Sequence, residues 1–458
     1  MKPQTVILFC AALLAAPGCP NQARDVASYR KVLDTGAPAS APSAPGPMLT
    51  LRGALAIANA HNERLAMSGE TYLQALIDKD RAVAAFLPTV TLSMTHLRQE
   101  TIPTLGGINM TPSPANDVVL SEGVNLFHGF RDVAALKRAA AGADERRALL
   151  REFQSSLLVE TAGVYYQVLR SEALVAVLRN SLGVQEERVT DLSNKLAAGT
   201  VRAVDVSQAR SQAAATGVLL RQAQADVVRG RATLAFLLGA QAVESTLADG
   251  LAIPAVPART VLESPAQQDR PDILATASAT EAARRSVEDA IGQYYPSVRL
   301  DLTQFLHRES FPPQSRWMSL LEVNVPVFSA GLIEADVRTA WSRLRQAGLN
   351  ESLVRRQVLE EVRLSHENLS AALGTLERLR TQEQAARDGL RQASEAAKAG
   401  VGTDLERLIS QDQYLSAQVQ VITQTYTAKI AYLQLLRATG HLRFSEGPLK
   451  VAGTGWRK

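Results

Sequence analysis

Phe86-Leu87-Pro88-Thr89-Val90-Thr91-Leu92 and Tyr294-Tyr295-Pro296-Ser297-Val298-Arg299-Leu300 are two versions of one pattern. Each has a large apolar pair, a proline, and then residues that alternate in polarity. Val90, Leu92 and Met94 alternate with Thr91, Ser93 and Thr95; Val298, Leu300 and Leu302 alternate with Arg299, Asp301 and Thr303. A period of two predicts a strand with one apolar and one polar face. Other pairs follow in the same order. Val124-Asn125-Leu126-Phe127-His128-Gly129 returns as Val323-Asn324-Val325-Pro326-Val327-Phe328 with Gly331, and Leu196-Ala197-Ala198-Gly199-Thr200 as Ala397-Lys398-Ala399-Gly400-Val401. Leu234-Ala235-Phe236-Leu237-Leu238-Gly239 returns near Leu433-Gln434-Leu435-Leu436 and Gly440. The chain is written twice.

Each copy reads as helix, strand, strand, long helix, turn, helix. The return strands are expected over about 117–127 and 316–328, with Trp317, Ser319, Leu321, Val323 and Val325 on one face. Glu122 spoils the first of them, because it falls on the face of Leu120 and Val124. Residues 102–114 and 309–315 read as loops by composition.

No proline falls between Gly129 and Gly199, or between Gly331 and Gly400. Each span would make roughly 100 Å of helix at about 1.5 Å per residue. Leu150, Phe153, Leu157, Val164, Val168, Val175, Leu178, Leu182, Val189, Leu192 and Leu196 are spaced by threes, fours and their sums, the pattern of a coiled-coil seam. Residues 203–238 and 403–438 predict helices half as long, and 49–85 and 268–293 are expected to stack end to end beside them. Pro254, Pro257, Pro265 and Pro271 make the join between the copies look like an irregular connector.

Of 458 residues, 46 % are hydrophobic but only 5 % aromatic, which favours extended helices over compact α/β domains. The formal net charge of +4 is spread along the chain, with no basic arm for nucleic acid. Lys2 and the apolar run Val6–Ala16 have the form of a signal peptide; the run is too short to cross a bilayer. Ala16-Pro17-Gly18-Cys19 resembles a lipoprotein processing site, which would leave Cys19 as an acylated first residue, palmitate being the kind of chain implied. Ordinary cleavage near Gly18 is the alternative. The domain reading is 1–18 signal peptide, 19–48 Pro/Ala-rich linker, 49–240 first repeat, 241–267 mid-height connector, 268–440 second repeat and 441–458 tail.

With Leu49-Thr50-Leu51, Ala54-Leu55-Ala56-Ile57-Ala58 and Asn62 opening the first repeat and Arg270-Pro271-Asp272-Ile273 opening the second, the chain resembles the TolC-like outer-membrane efflux family, in particular its lipoprotein branch. The resemblance runs from Leu49 to about Gly440. It implies a mainly α fold with a membrane β-barrel: four strands per chain, a twelve-stranded barrel in a homotrimer, and an α-helical tunnel in the periplasm. Apolar strand residues would face outer-membrane lipid and polar ones would line water. Phe86, Phe127, Tyr294, Tyr295, Phe305, Trp317 and Phe328 would supply an interfacial girdle. The implied function is a passive duct for small molecules, fed by an inner-membrane pump through a periplasmic adaptor protein. A type I protein secretion channel is the alternative within the class; a non-conducting coiled-coil protein would leave the duplicated two-faced strands without a purpose.

The resemblance also implies an acidic constriction at the helical tips. Asp205, Asp404 and Glu406 are the acids placed there, with Arg202 as a possible latch. Glu406 has a second reading, as an acid that stabilises a helix N-terminus. The family's second gate acid, one turn later, falls here on Ile409, and Gly402 stands where a basic latch would be expected. Gly199, Thr200, Gly400, Gly402 and Thr403 are the residues implied to meet the adaptor, or to serve turn geometry alone. The six histidines lack metal-ligand spacing, both cysteines fall in the leader, and no phosphate loop or nucleophile motif is present. No enzyme activity and no cofactor are expected.

Overall fold

A computed structural model describes residues 21–34, 47–98, 100, 114–309 and 315–442. Residues 1–20 with Cys19, 35–46, 99, 101–113, 310–314 and those after Leu442 lie outside the described residues, so the expected leader, lipid site and loops are not among them. The elements are α1 (Gln22–Val32), β1 (Met48–Thr50), α2 (Leu51–His61), α3 (Glu63–Ala84), β2 (Thr89–Leu97), β3 (Ala115–His128), α4 (Arg131–Ala197), α5 (Ala203–Leu238), β4 (Thr246–Ala248), α6 (Arg259–Asp269), α7 (Pro271–Gly292), β5 (Ser297–Arg308), β6 (Trp317–Asn324), α8 (Leu332–Lys398) and α9 (Asp404–Ala438). The duplicated order is the expected one. These elements fall into two compact units, divided at Glu70/Thr71, Leu149/Leu150, Pro271/Asp272 and Val354/Arg355.

One unit holds the sheet, in the order β2-β3-β5-β6, with every neighbour antiparallel. The register sorts the side chains. Thr91 opposes Ser121, Ser121 opposes Thr303, Asn125 opposes Arg299, and Arg299 opposes Glu322, all on the polar face. Leu92 opposes Leu120, Val124 opposes Leu300, and Leu300 opposes Leu321 on the apolar face. Glu122 does lie on that face, between Val90 and Leu302. The last strand is shorter than expected: it stops at Asn324, and Val325–Phe328 leave the ladder because Pro326 has no N–H to donate. The sheet joins its helices through a tight crossing at Gly129, where φ is +60° and an added Cβ would lie 2.2 Å from the Gly292 carbonyl oxygen. Beside it Phe127, Phe130 and Tyr295 meet edge to face, at 5.1 and 6.1 Å. Arg131 and Arg138 donate to Asp289 at 3.0 and 3.2 Å, fastening the start of α4 to α7.

The other unit is helical. Leu150, Leu157, Val168, Leu178 and Leu192 of the seam are buried, while Leu196, at the tip, is 37 % exposed. Tyr165, Tyr166, Leu158, Leu234, Leu238 and Leu433 form its largest core. Three features depart from the expected pattern. The expected helix over 49–85 breaks at Asn62, whose side chain donates to the Leu237 carbonyl at 3.0 Å and accepts from the Leu65 N–H at 3.1 Å. The 19–48 segment contains α1, which buries Tyr29 so closely against Gly69 that a Cβ there would lie 2.4 Å from the ring. The 241–267 connector contains β4 and most of α6; β4 pairs in parallel with β1. The Tyr165 hydroxyl clamps this pair: its one proton lies between the Leu49 and Ala248 carbonyls, 2.7 and 2.8 Å from its oxygen, which accepts from the Ala248 N–H at 3.0 Å. Burial pushes the Tyr165 phenol up to about 12.

Arg270, the first residue of the Arg-Pro-Asp motif, is 3 % exposed. Its guanidinium donates to Glu361 at 2.5 Å and to the Ala438 carbonyl at 3.0 Å, capping the end of α9. Arg437 donates to Glu361 and Glu152 at 3.3 and 2.7 Å.

Candidate functional site

The residues singled out for the tip sit at the turns between α4 and α5 and between α8 and α9. Gly199 and Gly400 have φ of +73° and +77°, in the left-handed region that ends a helix cheaply only with glycine. The Thr200 N–H and hydroxyl both return to the Lys195 carbonyl, at 2.9 Å each. Gly402 passes so close to α8 that an added Cβ would lie 2.9 Å from the Ala396 Cβ. Turn geometry therefore accounts for these small residues, and Val401 between them is 84 % exposed.

The four charged candidates divide. Glu406 accepts from the Thr403 N–H at 2.9 Å, and the Thr403 hydroxyl accepts from the Glu406 N–H at 3.1 Å, a reciprocal cap on the first turn of α9. The backbone N–H holds the Glu406 carboxyl below the usual range. Asp205 accepts from the Arg202 N–H at 3.1 Å and from its guanidinium at 2.8 and 3.2 Å. The Arg202 hydrogen bonds likewise hold the Asp205 carboxyl down. Both acids are thus tied within their own helix start.

Asp404 reaches a different helix. The Arg188 Nη2, on α4, donates to the Asp404 carbonyl at 2.8 Å and to its Oδ1 at 2.9 Å. Arg407 stands 3.6 Å from the same carboxylate. Farther along, Gln212 of α5 donates to Asp412 of α9 at 2.6 Å. Arg188, Arg407, Gln212 and Asp412 were missed in the sequence. One signal was available for the first: Gln185 and Arg188 precede Leu192 by seven and four residues, so they fall on the buried stripe of α4. Arg188 is 7 % exposed. Burial and the neighbouring Arg407 push its guanidinium down, and Asp404 opposes them.

The family model for outer membrane efflux protein matches residues 57–240 and 262–441, well over half of the chain. The outer membrane efflux protein BepC of Brucella suis is 26 % identical over 344 residues, covering 71 % of this chain and 72 % of BepC. The probable efflux pump outer membrane protein TtgC of Pseudomonas putida is 27 % identical over 305 residues, covering 63 % of this chain and 61 % of TtgC. A membrane protein of Pseudomonas aeruginosa, 20 % identical, shares the fold with a TM-score of 0.76, over 85 % of this chain and 90 % of its own. With its duplicated sheet and helical hairpins, this chain belongs to the outer membrane efflux protein family.

Proposed function

We propose that three copies of this chain form a passive outer-membrane duct that carries small molecules onward from an inner-membrane pump and a periplasmic adaptor. The observation that carries this reading is the sheet. It has a largely apolar face and a largely polar one, on which Val119, Phe305, Met318 and Leu320 are apolar exceptions, and β2 and β6 each leave one edge unpaired within the chain. An open edge in lipid costs several kcal/mol for each unpaired backbone group, so a membrane sheet of this kind needs closure. Four strands are too few to close alone around a channel, and three copies give a twelve-stranded barrel. The polar row with Thr91, Ser121, Thr303, Arg299 and Glu322 then lines water.

Cys19 is the proposed lipid anchor, assisting an inserted barrel. The turns at Gly199–Thr200 and Gly400–Thr403 present the surface offered to the adaptor. The closed tip is held by Asp404 on Arg188, with Glu406, Asp205 and Arg202 securing the helix starts on either side. Movement of α9 away from α4 would break the pair and widen the passage.

Outer-membrane fractionation, cross-linking and single-channel recording in planar bilayers test the proposal together. A cross-linked trimer with conductance is the expected result; a soluble monomer without conductance would overturn it. Deleting the gene and scoring which toxic compounds accumulate would identify the cargo. A strain that lost only a secreted protein would favour the secretion-channel alternative.

A further inference from the structure

Next to the Arg188–Asp404 pair lies a half-open pocket of about 500 Å³, lined by α4, α8 and α9 within the helical unit. Arg188 lines it, and its side chain is only 6 % exposed. Nη2 of that guanidinium is committed to Asp404, but Nε and Nη1 are buried with no acceptor among the described residues. A buried donor left unpaired is costly, and more so on a charged group. Arg407 lines the same cavity, so two guanidiniums share the Asp404 carboxylate.

The geometry points to this cavity as a binding site for a small organic carboxylate with an apolar body. The carboxylate would accept from the free Nε or Nη1 of Arg188, assisted by Arg407. Val184, Leu390 and Leu415 would cover its apolar part. Tyr414 accepts from Gln418 at 2.8 Å, which leaves its own hydroxyl proton to donate into the cavity. The apolar lining favours an aryl or alkyl acid over a bare inorganic anion. Glu187 and Asp191 also line the cavity, so the charges on its walls balance; Asp191 is engaged by Lys195 at 2.9 Å. Affinity is accordingly modest, with a Kd on the order of 1 mM.

The site has a regulatory consequence, which rests on the latch reading above. Bound carboxylate and Asp404 would share one guanidinium through different nitrogens and repel each other, so each weakens the other's hold. An acidic molecule at the tip would thereby loosen α9 from α4.

The test uses the purified full-length protein and benzoate, with inorganic phosphate as the second probe, followed by calorimetry or ligand-observed NMR. Saturable benzoate binding, tighter than phosphate, is expected. Arg188→Gln should weaken it at least tenfold and Arg407→Gln roughly threefold, while Asp404→Asn should tighten it roughly threefold. Arg407→Gln keeps the test open if the buried arginine is required for folding. Absence of saturable benzoate binding, binding indifferent to both arginine variants, or phosphate bound more tightly than benzoate would each overturn the site. If benzoate binds as expected but Asp404→Asn leaves the open fraction of the channel unchanged, the site stands and the latch reading falls.

Discussion

Replacing Asp404 by Asn should favour the open duct, and the structure sets the scale. The Arg188–Asp404 contact is a charge-assisted hydrogen bond of 2.9 Å, a class that contributes about 1.5–3 kcal/mol. The Asp404 side chain is 40 % exposed, so solvent screening reduces this to about 1 kcal/mol. Asn keeps an acceptor oxygen, and the 2.8 Å bond from Arg188 to the Asp404 carbonyl is unaffected. One chain then loses about 1 kcal/mol, roughly fivefold in the closed-to-open ratio. Three chains opening together lose about 3 kcal/mol, on the order of 100-fold. Arg188→Gln removes both bonds and should open the duct further, and the double variant should behave as Arg188→Gln alone, since the two residues act through one contact. Glu406→Gln should leave the open fraction near that of the parent, because its carboxylate serves its own helix start. The assay is open occupancy of single channels in planar bilayers at low applied voltage. Equal opening by Glu406→Gln and Asp404→Asn, or an Arg188→Gln channel within twofold of the parent, would refute the reasoning.

The remaining predictions concern the frame and the caps. Gly129→Ala should sharply reduce assembled protein in outer-membrane fractions, because its Cβ meets the Gly292 carbonyl; Gly331→Ala, with φ +82° but open space around it, should cost only about 1–2 kcal/mol and still assemble. Tyr165→Phe removes the hydroxyl that joins the Leu49 and Ala248 backbone groups and should destabilise the helical unit by about 1–3 kcal/mol in denaturant titration, while Tyr166→Phe, whose hydroxyl has no partner among the described residues, should be neutral or slightly stabilising. The Glu406 carboxyl should titrate below 4.5 when followed by carbon NMR; its pKa is depressed in the fold, so its capping contribution is full above the unfolded value and disappears as pH falls through the lower folded one. A midpoint at or above 4.5 would show that the cap is absent.

The repeated strands and the two 67-residue helices were legible because their signals are periodic and long. Alternation over Val298–Thr303 decides a strand, and a proline-free heptad pattern decides a helix. What escaped the sequence depends on single long-range contacts. A three-residue strand such as β4 has no period to count, and its position is fixed by the Tyr165 hydroxyl, 83 residues away. The α2/α3 break depends on Asn62 meeting Leu237, 175 residues away. At the tip, the acids were visible, but their assignments were not. Asp205 and Glu406 look like free pore carboxylates until the backbone N–H groups they occupy are placed.

The repeats also explain why Asp404, and not Asp205 or Glu406, is the acid that reaches Arg188. Residues 202–205 and 403–406 are equivalent, and in both the third helical residue is an acid that bonds back to the residue preceding the helix. In both copies that carboxylate is aimed back along its own first turn. The first helical residue has no such duty, and there the copies differ: Ala203 in the first, Asp404 in the second. Their partners differ in the same sense, since Arg188 of the first repeat corresponds to Gly389 of the second. The α4–α9 contact therefore carries an ion pair, while the equivalent positions of the other copy, Gly389 on α8 and Ala203 on α5, hold two small residues. A duplicated chain that kept both acids and both arginines would be tied evenly around a ring. In the proposed trimeric duct this chain would be tied at alternate junctions, so that the α8–α9 hairpin could swing while α4–α5 stays in place.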